Sequence, residues 1–134
     1  MDTATRGRVN NLLTKTIEYN IISDSKIKQK DWKNAAEPLA QICYYAVLAL
    51  FERDQIKPID KMDTKTKFSE HYIETGIFDK PTGDFYNSII DIFQDIANHE
   101  TKKFNKSYVL DLDLKMRSFN WKIVKYIVGY DFMD

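Results

Sequence analysis

AAEPLAQICYYAVLALFERDQIKP, residues 35–58, contains the longest apolar run of the chain, ICYYAVLALF from Ile42 to Phe51. Ten residues is half of the about 20 that a membrane-spanning helix needs, so the run reads as a buried core segment. It is apolar nearly all round, whereas a helix at the edge of a bundle carries a one-sided stripe. That pattern marks the central helix of a bundle. Its start has two alternatives. Asn34 followed by Glu37 resembles a capping box and places Pro38 in the first turn, where its missing N–H costs little. If Asp31 is the cap instead, Pro38 kinks the helix. The helix then runs from Asp31 or Asn34 to Asp54.

Working outward, further helices are expected on both sides. Val9, Leu12, Leu13, Ile17 and Ile21 recur at helical spacing over Thr5–Ile22, and the polar stretch Ser23–Lys30 ends or bends that helix. Ile56–Thr66 reads as a connector, followed by a short helix over Thr66–Glu74 that Gly76 stops. Asp79–Gly83 (DKPTG) reads as a turn, and Asp84 as the cap of a helix over Phe85–Glu100. Two stripes, Phe85, Ile89, Ile92, Ile96 and Tyr86, Ile90, Phe93, Ala97, give that helix a broad buried face. After the polar break TKKFNKS, Tyr108–Leu110 reads as a short extended piece. A last helix over Asp111–Val128 buries Leu112, Met116, Phe119, Ile123 and Ile127, with Asp111 and Asp113 at its positive end. No period-2 alternation bounded by hairpin turns is present. The expected fold class is all-α, an up-and-down bundle of four to five helices in a single domain over residues 1–134.

Composition narrows the function classes. The 134 residues carry 20 Lys+Arg and 20 Asp+Glu, so the formal charge is zero, which argues against a protein that coats nucleic acid by bulk electrostatics. The one cysteine excludes an internal disulfide framework and any zinc site built on several thiolates. Four scattered glycines cannot form a Walker loop or a dinucleotide fingerprint. The N-terminal MDTATRGRVNN has no apolar core of a secretion signal, so a cytoplasmic location is expected, with no membrane partner, no cofactor and no metal.

Four local features bear on chemistry. Cys43, inside the apolar run, reads as inert packing. Asp91, Asp95 and His99 stand at i, i+4 and i+8 on one helical row, a spacing in which a carboxylate orients an imidazole for acid–base work; the plainer reading is a solvated helix flank. His71 lies in FSEHY on the short helix. Lys26, Lys28, Lys30 and Lys33 surround Trp32, a basic patch with an aromatic that suits holding a phosphate backbone or stacking a base.

Two blocks, AAEPLAQICYYAVLALFERDQIKP and KFSEHYIETGIFDK, resemble in order and spacing the second helix and the Phe…His…Thr-Gly segment of the HEPN domain (higher eukaryotes and prokaryotes nucleotide-binding). The likeness spans Trp32–Glu100, about half the chain. It implies a helical homodimer of a toxin–antitoxin or defence system. Partners would be RNA or a nucleotide, or a protein such as an antitoxin or a cognate nucleotidyltransferase. Ribonuclease members of that family use an arginine, four to six residues and a histidine, without metal. In this sequence His99 takes the histidine position, Gln94 stands where the arginine belongs, and Thr101 stands where some members carry a tyrosine. A neutral amide cannot make the bidentate, charge-assisted phosphate contact of a guanidinium. The expected site is therefore His99, Gln94 and Asp95 as the catalytic remnant, with Asn98, Lys102, Lys103 and Trp32 as binding residues. Lys102 and Lys103 are the nearest cations to stand in for the arginine. The expected function is binding with ribonuclease activity impaired or lost; the alternatives are a metal-independent endoribonuclease acting through His99 and a helical adaptor unrelated to RNA.

Overall fold

The computed structural model describes residues 1–133, with side chains described through Gly129. It contains five α-helices and, among the described residues, no strand: α1 (Thr3–Lys28), α2 (Ala36–Arg53), α3 (Lys61–Phe68), α4 (Lys80–Ala97) and α5 (Lys106–Met133). A 3₁₀ turn, Trp32–Asn34, leads into α2, and a π turn, Ser69–Ile73, continues α3.

α2 is the hub. Eleven of its eighteen residues are buried, among them Leu39, Ile42, Val47, Leu50 and Phe51. α1, α4 and α5 pack around it. Ala36, Ala40, Ala46 and Ala49 on α2 are all fully buried, and their small side chains let neighbouring backbones come close. α1 runs antiparallel to α2, since Arg8 near its start is paired with Glu52 near the end of α2. α5 runs parallel to α2: the Arg53 guanidinium lies over the Tyr126 ring, 4.6 Å from its centroid.

α3 and its π turn close the end of the bundle beside Phe51. Phe68 sits among rings from three other elements, with centroids 5.6 Å from Tyr72, 5.0 Å from Tyr86 and 6.0 Å from Phe119. Tyrosines can be buried here because their hydroxyls find partners. The Tyr86 and Thr64 hydroxyls are 2.8 Å apart, and the Tyr72 hydroxyl donates to Asp54 at 2.5 Å.

Several boundaries differ from the sequence reading, each for a local reason. α1 begins at Thr3, capped by the Asp2 carboxylate, and continues through the polar stretch to Lys28. Its buried row is Thr5, Val9, Thr16 and Ser23, so Ile17 and Ile21, expected inward, are 61% and 65% exposed. The Thr16 and Ser23 hydroxyls donate to the carbonyls of Leu13 and Asn20, which removes their need for water and makes them small, effectively apolar contacts. Neither Asp31 nor Asn34 caps α2; Ala35 occupies the cap position without a side-chain bond, and the Asn34 amide donates to Asp31 instead. Pro38 does fall in the first turn. α3 starts at Lys61, capped by Asp60, so the connector is shorter than expected. Asp79, not Asp84, caps α4, its carboxylate accepting from the Thr82 N–H at 3.1 Å. Pro81 is accommodated in the first turn, and α4 ends at Ala97, which is exposed. α5 begins before Asp111: the Asn105 carboxamide accepts from the Tyr108 N–H, so Tyr108–Leu110 is helical and Asp111 and Asp113 lie beyond the first turn. The buried stripe from Leu112 to Ile127 is as expected.

Two helical glycines sit in opposite surroundings. A Cβ at Gly7 meets nothing within 4 Å, whereas one at Gly83 would lie 2.9 Å from Cγ1 of Ile73, where α4 crosses the π turn. Gly7→Ala is therefore expected to stabilise the fold by about 0.5–1 kcal/mol. Gly83→Val is expected to destabilise it by about 1–3 kcal/mol through the crowding it forces. Urea denaturation of the two variants checks both signs; a stabilised Gly83→Val would contradict the α4–π-turn packing.

Candidate functional site

α4 ends without glycine. His99 adopts φ 58°, the left-handed conformation, directly after the C-cap residue Asn98. Its N–H donates to the Ile96 carbonyl at 3.1 Å, and the Glu100 N–H donates to the Asp95 carbonyl at 2.8 Å. These two bonds make a Schellman cap, which satisfies carbonyls that the last helical turn leaves open. Histidine is among the non-glycine residues that tolerate this region best. Lys30 (φ 58°) after α1 and Gln55 (φ 62°) after α2 terminate their helices by the same pair of bonds.

The cap takes His99 out of the helical row. Its imidazole is exposed, and no hydrogen bond or ion pair joins it to Asp95 or Asp91. Those carboxylates face other partners: Asp91 pairs with Lys65 on α3 at 3.7 Å, and Asp95 pairs with Lys103. The Asp95 carboxylate holds the Lys103 ammonium above its usual range, so this lysine is charged but engaged. Tyr108 lies in the same neighbourhood; burial raises its hydroxyl pKa, Lys103 opposes the rise, and Asp95 adds to it. Gln94 is exposed on the last turn of α4, and Asn98 is exposed as its C-cap. The end of α4 thus presents a free imidazole and two neutral amides, with Lys103 held by a carboxylate. The imidazole can pass a proton, but the helix end offers no uncommitted cation to hold a phosphate undergoing transfer.

Lys102 goes elsewhere. Together with Lys30, Trp32, Lys33 and Thr101 it lines an open groove of about 460 Å³ formed by the α1–α2 and α4–α5 connections. Phe104, 3% exposed, belongs to the same lining and anchors it to the core. Trp32 is half-buried and packs against the core, so its indole is held in place. Asp31 contributes a carboxylate, which Lys26 offsets at 3.6 Å and the Asn34 amide contacts at 3.0 and 3.1 Å. Among the described residues, Lys30, Lys33 and Lys102 form no ion pair.

Of the expected site residues, the structure brings Trp32 and Lys102 together, adds Lys30 and Lys33 to them, and leaves His99, Gln94 and Asn98 outside that groove. Lys103 is tied to Asp95 instead. The juxtaposition joins residues about seventy positions apart, and no local pattern in the sequence marks it. Cys43 is wholly buried, at 0% accessible, and burial pushes its thiol well above the usual range. His71 is exposed in the π turn. Among the described residues no group of three or more His, Cys, Asp or Glu is placed to hold a metal ion, and no helix is long and apolar enough to cross a membrane. A second concavity of about 680 Å³ separates α1 from α5 and is mostly apolar, lined by Leu13, Ile17, Trp121, Val124 and Val128.

The fold class is thus an all-α bundle built on a central helix, with a basic and aromatic groove at one end. No protein-family model, curated protein or solved structure matches the chain.

Because His99 acts here as a left-handed cap with a free side chain, His99→Gly is expected to raise stability by about 1 kcal/mol, the cost of left-handed backbone in a residue with a Cβ. Thermal unfolding measures it. A variant that melts lower would mean that the imidazole makes a contact the cap geometry does not include.

Proposed function

We propose that this chain is a HEPN-like helical protein of a toxin–antitoxin or defence system that binds RNA or a nucleotide, or a protein partner, and does not cleave RNA effectively. The observation that supports the loss of cleavage is the composition of the α4 terminus. Position 94 carries a neutral amide, and of the two lysines that follow, Lys103 is neutralised by Asp95 while Lys102 lines the Trp32 groove. Metal-free cleavage through a ribose hydroxyl needs a group that stabilises charge on the phosphate as well as one that moves a proton. His99 supplies only the second. Loss of a charged phosphate contact of this kind typically removes about 2.7–4 kcal/mol of transition-state stabilisation, a factor of roughly 100–1,000 in rate.

Purified protein is expected to leave a mixed-sequence RNA intact over hours, with or without EDTA. Cleavage that persists in EDTA and disappears in His99→Ala would establish the metal-independent endoribonuclease in place of this reading.

A homodimer belongs to the same proposal, since the family resemblance implies pairing of two copies. Its support is exposed apolar surface: Ile17 of α1 and Trp121 of α5, 61% and 64% exposed, line one concavity, and Ile21 and Leu114 on the same two helices are 65% and 70% exposed. Sedimentation equilibrium at micromolar concentration is expected to give twice the monomer mass. A stable monomer would remove the dimer from the proposal.

A further inference from the structure

We infer that the groove between the α1–α2 and α4–α5 connections is a binding site for single-stranded RNA, with a base stacked on the Trp32 indole and the flanking phosphates held by Lys30, Lys33 and Lys102. The inference rests on the RNA-binding reading above and assigns it a place, away from the α4 terminus.

Four features support it. The groove's volume, about 460 Å³, lies within the roughly 300–1,000 Å³ range of sites that take ligands of nucleotide size. Trp32 is anchored by its contact with the core, so stacking a base on it costs little side-chain ordering. The three lysines leave the chain at fixed points. Lys30 is held at φ 58° by the Schellman cap of α1, Lys33 sits in the 3₁₀ turn beside the indole, and Lys102 lies in the connection after α4. Among the described residues none of them is neutralised by a carboxylate, while the one acidic member of the lining, Asp31, is offset by Lys26. Lysines surrounding an aromatic platform are the arrangement by which single strands are held without sequence readout: charge tracks the backbone and a ring accepts whichever base is presented.

The geometry also selects among anions. The groove is open along its length, with no enclosing wall for a free mononucleotide, so it suits a continuing strand. A duplex keeps its bases stacked on each other and offers none to the indole. An acidic peptide would satisfy the lysines and leave the Trp32 face unused. Thr101 and Asn105 line the groove as polar groups able to meet ribose and base edges.

The test is fluorescence anisotropy with a labelled single-stranded oligouridylate of twelve residues, and the same length of duplex RNA, oligothymidylate and polyglutamate as competitors. Wild type is expected to bind the single strand, with log affinity falling by about 2 per tenfold rise in salt, the slope of three phosphate contacts on a single strand. The exposed triple variant Lys30→Glu, Lys33→Glu, Lys102→Glu is expected to lose at least tenfold in affinity and most of that slope. Trp32→Leu, checked for retained helicity by circular dichroism, is expected to lose several-fold with the slope unchanged. Competition by oligothymidylate as strong as by oligouridylate would still support the single-strand site while removing any preference for ribose. Unchanged binding by the triple variant would overturn the groove and leave RNA binding to another surface. No binding by wild type would overturn RNA binding itself. Displacement by polyglutamate as effective as by RNA, with no effect of Trp32→Leu, would reassign the groove to an acidic protein.

Discussion

Everything else in this molecule follows from the need to cover α2, of which only the face of Gln41, Tyr44, Tyr45 and Leu48 stays half-buried. A helix whose residues 42–51 are apolar nearly all round cannot lie at a surface, because each large side chain left in water forgoes about 1.5–3 kcal/mol. Three long helices therefore pack against it, and the fully buried alanines of α2 leave room for them to come close. α1 meets this requirement with the small hydroxyl residues Thr5, Thr16 and Ser23 beside Val9, Leu12, Leu13 and Tyr19. Thr16 and Ser23 bond to their own helix and pack as if they were apolar. The cost of that solution appears on the opposite side of α1, where Ile17 and Ile21 are left in solvent.

Wrapping helices alternately along α2 brings two connections to the same end of the bundle. One follows α1 and the other follows α4, and both begin with a left-handed cap, at Lys30 and His99. A left-handed residue turns the chain sharply out of the helical path, so the residues after it, 31–33 in one case and 100–104 in the other, lie across the bundle end. Their cations converge there because the caps direct them, and the Trp32 ring and Phe104 tie the two connections to the core. The same device that builds the groove also removes His99 from the row of Asp91 and Asp95.

How much of this was legible in the sequence depends on the kind of signal. The central helix, the stripes of α4 and α5 and the burial of Cys43 followed from hydrophobic periodicity, because packing there is carried by large apolar side chains. On α1 periodicity places Val9, Leu12 and Leu13 inward correctly but not Ile17 and Ile21, because it gives no weight to a threonine or serine that satisfies itself. The start of α4 was misplaced because Gly83 suggested a turn, whereas its lack of a side chain serves the contact with Ile73. Trp32 among its lysines and Lys102 after His99 each stand out in the sequence, but not as neighbours, since nothing local records which loops share an end of a bundle. The role of His99 as a cap was hidden for a related reason: a left-handed C′ position is recognised by glycine, and the three helices that end in this way use lysine, glutamine and histidine instead.

The central claim is that this bundle binds RNA in the Trp32 groove and not at the histidine terminus of α4. Backbone amide and indole NMR shifts recorded while a short oligouridylate is added test it most directly. The account predicts that the shifting resonances are the Trp32 indole N–H and the amides of residues 30–33 and 101–105, with residues 94–98 little changed. Shifts concentrated on Gln94–His99, with the Trp32 indole unmoved, would contradict it.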